Sequence, residues 1–245
     1  MMINKLSVLG MLAVLSAHSY SAITMDRTRV IISESQQSVS VGVSNNNKTF
    51  PYLAQAWIEA EDGKKISEPL VVVPPIQRVE ANGKSQVKVV ALPSLKALPQ
   101  DRESVYYFNL REVPPRSDKP NVLQIALQTK VKLFYRPKSI EMESSSIQEL
   151  MKEVTLVQEG DFYKLINPTP FHITVIDLKK LGTKKNSKDF LSVMVAPKSD
   201  KILSGVTVKN VGISPALTFI NDYGGRPQLY FNCENGICKV SELKE

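Results

Sequence analysis

From Ala22 onward the apolar positions recur with period two, the spacing of half-buried strands. Ser38 to Ser44 alternates small or apolar residues with polar ones, and Ser85 to Ala91 is rich in valine. Ser104 to Glu112 carries Tyr106, Phe108 and Leu110 on one parity. These runs are separated by turn-forming clusters at Asn45-Asn46-Asn47, Glu61-Asp62-Gly63 and Ala81-Asn82-Gly83. Pro74-Pro75, Pro93 and Pro114-Pro115 stand where a helix would have to continue. Short strands at such spacing predict β-sandwich architecture. One helix is predicted over Ser146 to Lys152, where Ser146 and Glu149 have capping-box spacing.

The longest apolar alternation runs from Asn121 to Tyr135, with Leu123, Ile125, Leu127, Thr129 and Val131 on one parity. A typical strand has roughly five or six residues, so one strand over this whole segment would cross a sandwich and enter a junction. Arg136-Pro137 ends it. The polar segment from Lys138 to Ser146 places a domain boundary, giving domains at 22–142 and 143–245. The second half repeats the strand pattern at Phe171 to Asp177, Phe190 to Val195, Lys201 to Val208, Leu217 to Ile220 and Gln228 to Phe231. The predicted fold class is therefore all-β, with two sandwich domains of about 110 residues each.

The N-terminus adds the compartment. Lys5 precedes an apolar stretch from Leu6 to Ala17, and Ser19-Tyr20-Ser21 offers small residues at the positions a signal peptidase reads. Residues 1–21 read as a secretory signal cut before Ala22. The apolar stretch is shorter than the roughly 20 residues of a membrane-spanning helix. Lys plus Arg number 31 against 24 Asp plus Glu, a net charge of +7. No basic run is longer than Lys184-Lys185, so a solvated surface accounts for the balance and no nucleic-acid partner is expected. The two cysteines, Cys233 and Cys238, read as a disulfide in an exported chain. So short a loop contributes roughly 2 kcal/mol. CxxC spacing is absent, and no histidine lies nearby to complete a zinc site.

Candidate chemistry is sparse. After the signal there is one histidine, His172, in a strand-like run, where a satisfied structural role is the ordinary reading. There is no GxSxG, P-loop, GxGxxG or HExxH. Gly224-Gly225 reads as a turn. No enzymatic activity, cofactor or metal is expected. Basic residues on strands remain: Arg27 and Arg29 near the start of the first strand, Lys130 and Lys132 on the long one. On pattern alone these are ordinary surface charge.

Several stretches carry a family resemblance: DRTR at 26–29, PYLAQAWIE at 51–59, PPIQRV at 74–79, LPQDRESVYYFNLREVPPRS at 98–117, NVLQIALQTKVKLFYRP at 121–137, INPTPFHITVI at 166–176 and INDYGGRP at 220–227. The sequence resembles the periplasmic pilus-assembly chaperones across both halves. The resemblance implies two immunoglobulin-like domains in a boomerang with a cleft between them. It implies a periplasmic protein that binds pilus subunits, the adhesin included, prevents their premature association and delivers them to an outer-membrane usher. By motif position, Arg29 and Lys132 would hold a subunit's C-terminal carboxylate. Leu123, Ile125 and Leu127 would fill the groove of its missing strand. Glu103, Arg136 and Asp222 would form a charge network across the domain junction. Lys132 has the opposite parity to the three groove residues, so a bulge or twist is expected between them. Pro114 to Pro120 resembles the short connection of the rod-pilus subclass, and Gly182 to Asp189 matches the family less well. The exposed strand would also allow self-association of the free protein. A pilus subunit and a sandwich hydrolase are the alternative readings. A subunit would lack the final strand of the first sandwich, which is present here, and the lone histidine argues against the hydrolase.

Overall fold

The computed structural model describes residues 21–118 and 121–244, so the end of the Pro114–Pro120 connection and all of the 1–21 signal segment but Ser21 lie outside the described residues. The first domain is a sandwich of two sheets. One has the order β1 (Ile23–Met25), β3 (Ser38–Asn45), β8 (Lys84–Ala91), β6 (Leu70–Val73). The other runs β2 (Arg29–Ser33), β10 (Gln128–Arg136), β9 (Ser104–Val113), β4 (Tyr52–Glu59), β5 (Lys65–Ile66), with β7 (Ile76–Val79) also on β4. The alternating residues meet between the sheets: Val41, Val43, Val87 and Val89 from one, Ile58, Phe108, Leu110, Leu133 and Tyr135 from the other. Inward alternation with a polar outer row is what period two produces when only one sheet face is buried.

The strand expected to start near Arg27 and Arg29 is β2, and a further short strand, β1, precedes it. β1 pairs with β3 in one sheet and β2 with β10 in the other, so the chain changes sheets across Asp26-Arg27-Thr28. The crossing is tight: the Asp26 amide donates to the Gly42 carbonyl (3.1 Å). A Cβ on Gly42 would meet Asp26 Oδ2 at 2.7 Å, so a larger residue there would have to displace the Asp26 side chain.

The second domain follows α1 (Ser144–Met151) and forms one hydrogen-bonded path of eight strands. Its order is β14 (Val193–Val195), β13 (Ile173–Lys180), β16 (Pro215–Ile220), β17 (Gln228–Glu234), β18 (Ile237–Lys244), β11 (Thr155–Glu159), β12 (Phe162–Asn167), β15 (Ser199–Leu203). Leu156, Tyr163, Leu165, Val175, Leu217, Phe219, Leu229 and Phe231 fill its core. A short helix, α2 (Val208–Val211), closes one end. The hairpin between β17 and β18 turns on Asn235 and Gly236, both with positive φ, as a two-residue primed turn requires. Cys233 and Cys238 are cross-strand partners on that hairpin and are disulfide-bonded. Cys238 is fully buried in the domain core.

Three sequence expectations are corrected. The segment from Asn121 to Tyr135 is not one strand: its ladder begins at Gln128. Pairing of residues 121–127 would continue β9 into Pro114 and Pro115, which have no N–H to donate. The last rung is the Glu112 amide on the Leu127 carbonyl (3.0 Å). The helix begins at Ser144 with Glu143 as N-cap and no side-chain cap, so Ser146 lies inside it and forms no capping box. Finally, the run from Lys201 to Val208 is strand only to Leu203, after which Val206 turns inward and α2 begins.

Candidate functional site

β10 has two different faces. Val131, Leu133 and Tyr135 point into the first core, whereas Lys130, Lys132, Phe134 and Arg136 point outward toward the second domain. The adjacent β2 runs parallel to it, with Lys132 directly opposite Arg29. Residues in register share a face, so these two cations stand side by side although 103 positions separate them in sequence. Tyr107 of β9 is in register with Lys132 on its other side. With Thr28, Lys130, Val131 and Ile220 they line an open cavity of about 350 Å³.

Among the described residues neither cation has an ion-pair partner. Arg29 is 8 % exposed, donates from NH1 to the Ile220 carbonyl of the second domain (3.1 Å), and lies over the Phe134 ring at 5.6 Å. Its Nε is buried without a hydrogen-bond acceptor. Burial pushes the Arg29 guanidinium below its ordinary value; Asp222 and Glu103 offset this in part, and Arg136 reinforces it. The Lys132 ammonium is lowered by burial and then by Arg29 beside it. Both charges are held at a cost that an incoming anion would relieve.

The junction next to this pair is a closed charge network. Arg136 donates to Glu103 Oε1 from NH2 (2.7 Å) and Nε (3.1 Å), and to Asp222 from NH1 (3.0 Å) and NH2 (3.3 Å). Its guanidinium lies over Phe171 at 4.8 Å. Burial alone would raise the Glu103 carboxyl, but His172 and Arg136 outweigh it and hold it below the usual carboxylate value. Glu103 Oε2 accepts the His172 amide (2.8 Å) and faces His172 Nδ1 at 3.2 Å. His172 is therefore part of the junction, a role the sequence reading missed; it lies just before β13 rather than in a strand. Its place in NPTPFH, amid residues ending a strand, was the available signal. Asp222 sits in the turn Asn221–Gly225, where Asn221 Oδ1 accepts the Tyr223 and Gly225 amides.

Leu123, Ile125 and Leu127 are 85 %, 64 % and 41 % exposed. Gln124, between the first two, turns the other way and donates to the Pro115 carbonyl (2.6 Å). The expected bulge before Lys132 is absent: β10 pairs with β9 residue for residue from Gln128 to Tyr135. None is needed, because opposite parity is the arrangement itself. One parity carries the exposed apolar row into the core row, and the other carries the cations into the cleft.

Two family models match this arrangement. The N-terminal domain of the pili and flagellar-assembly chaperone PapD matches residues 22–141, and the C-terminal domain of the pili assembly chaperone PapD matches residues 149–231. The chain belongs to the pili-assembly chaperone family. The chaperone protein PapD of Escherichia coli is 46 % identical over 226 residues, covering 91 % of this chain and 92 % of that protein. The probable fimbrial chaperone YfcS of Escherichia coli K12 is 43 % identical over 241 residues, covering 97 % and 94 %. Among solved structures, the complex of the Salmonella enterica SafA pilin with the SafB chaperone contains a similar chain. It has a TM-score of 0.73 and 25 % identity, and the match covers 89 % of this chain and 99 % of that one. The two family models divide the chain as the two sandwich domains do.

Proposed function

We propose that this protein works in the periplasm as a pilus-subunit chaperone, with domains at 22–142 and 143–245 after a signal at 1–21. It captures a subunit whose sandwich lacks a strand, completes that fold with its own residues, and hands the subunit to an outer-membrane usher. The observation that carries this reading is the pair Arg29 and Lys132: two adjacent, partly desolvated cations without a counter-ion, next to an unpartnered apolar row. A terminal carboxylate supplies the missing charge and fixes where the bound chain starts. Leu123, Ile125 and Leu127 then fall on alternate positions of a groove, while the backbone of 121–126, beyond the last rung to β9, provides the ladder. No step of this process calls for a nucleotide, a metal or bond-making chemistry. Glu103, Arg136 and Asp222 hold the cleft at the angle that presents both parts together.

The test is affinity capture from periplasm followed by mass spectrometry. The unaltered protein should bring down a pilus subunit, and a folded Arg29→Ala, Lys132→Ala variant should not. Equal recovery by both would refute the assignment of the anchor.

A further inference from the structure

The outward face of the sheet β2-β10-β9-β4-β5 is cationic well beyond the anchor. The cross-strand registers place Arg29, Lys132, Tyr107 and Glu59 in one row, Lys130, Asn109 and Trp57 in the next, and Gln128, Arg111 and Gln55 in a third. Lys65 of β5 is opposite Glu59 on the far edge. Among the described strand positions of these three rows and Lys65, Glu59 is the one acid against five cations. Its carboxylate already accepts from Lys130 Nζ (2.6 Å) and from the Trp57 indole (2.7 Å). Among the described residues, that leaves Lys65 and Arg111, both exposed, without an ion-pair partner at the end of the face remote from Arg29. Both are held over Trp57, at 5.8 and 5.5 Å, from the two strands that flank it. Arg111 is further fixed by Gln55 Oε1 (2.5 Å). These contacts hold both charges over the outward face of the sheet.

We propose that this face is a docking surface for an acidic polypeptide segment of the bound subunit, which it steers toward the anchor. The proposal rests on the function given above. A face of one sign raises the local concentration of an oppositely charged partner and speeds encounter more than it strengthens the final complex. The chemistry favours carboxylates over nucleic acid. Trp57 is covered by Lys65 and Arg111, and the Tyr107 ring by Lys130 at 4.5 Å, so the aromatics offer no open stacking platform for bases. The amides of Gln128, Asn109 and Gln55 interleave with the cations, Gln128 donating to Asn109 and Gln55 accepting from Arg111.

Trp57 is the only tryptophan in the sequence, so its fluorescence reports this face directly. The mature protein would be titrated with a synthetic oligoglutamate peptide at about 0.01 M salt, where the Debye length is about 30 Å, and again at about 1 M, where it is about 3 Å. A saturable change at low salt that disappears at high salt is expected. Lys65→Gln, Arg111→Gln should weaken binding at least about tenfold, and Lys65→Glu, Arg111→Glu should abolish it. Circular dichroism checks the fold, and the neutral pair carries the test if the reversed pair does not fold. No response to oligoglutamate, an undiminished response from the neutral pair, or equal affinity for an oligothymidylate of the same charge would overturn the proposal. In subunit binding, the Lys65 and Arg111 variants should slow association and leave dissociation unchanged. Arg29→Ala, Lys132→Ala should instead abolish capture, so normal capture by that variant would sink the anchor reading while leaving the peptide result standing.

Discussion

At the scale of single residues, the most informative feature is the cation pair that lacks a counter-charge. Neither the Arg29 nor the Lys132 position is distinguishable from surface charge in the sequence pattern; the pairing arises only when β2 and β10 align in parallel. Family resemblance named both, whereas periodicity did not. The charge on Glu103 yields a pH prediction. Its folded pKa lies below the ordinary value of 4.5, so its contribution to stability is complete above that value and is lost as pH falls through the lower folded one. The difference in urea midpoint between the unaltered protein and Glu103→Gln should be largest near neutral pH and shrink in acid. A difference that stays constant into strong acid would show that the carboxylate charge is not what the junction uses.

At the scale of elements, β10 explains why alternation was read correctly as a pattern and incorrectly as a single strand. Leu123 to Tyr135 keeps one parity throughout, yet half of it lacks a ladder because Pro114 and Pro115 deny it a partner. Period-two patterning encodes which side chains share a face; it does not encode which backbone groups are paired. The same limit hides the change of sheets between β1 and β2, which no alternation in residues 23–33 marks. The apolar row should behave as a functional surface rather than as core. Ile125→Asp should abolish subunit binding with circular dichroism and melting unchanged, because that side chain is 64 % exposed in the free protein. Ile125→Leu conserves volume and should bind within a few-fold of the unaltered protein. Loss of folding in Ile125→Asp would mean that the row is packed in the free protein after all.

At the scale of the whole molecule, the domains are joined by interactions that the sequence distributes over distant segments. Glu103, Arg136 and Asp222 were named from resemblance, but His172, Phe171 and the contact of Lys198 with Asp101 (2.6 Å) also complete the junction and were not among the residues so named. The geometry also ranks the network. Asp222 is 25 % exposed at its side chain and Glu103 only 3 %, and Arg136 keeps Glu103 when Asp222 is removed. Asp222→Ala should therefore cost less than the roughly 3–5 kcal/mol of breaking a fully buried pair, and Glu103→Ala should approach that range. Small-angle scattering should show the larger change in interdomain angle for Glu103→Ala. The reverse ranking in denaturation and scattering would assign the hinge to Asp222 instead.

The anchor is tested most directly by the carboxylate itself. Titration calorimetry would compare a peptide ending in the C-terminal strand of the captured subunit with the same peptide amidated at its terminus. Removing a desolvated charge contact costs roughly 2–5 kcal/mol, and about 1.4 kcal/mol is a factor of ten. The unaltered protein should prefer the free carboxylate by at least about tenfold, and Arg29→Ala, Lys132→Ala should lose that preference. Equal affinity of the unaltered protein for the two peptides, or a preference that persists in the folded double variant, would contradict the account.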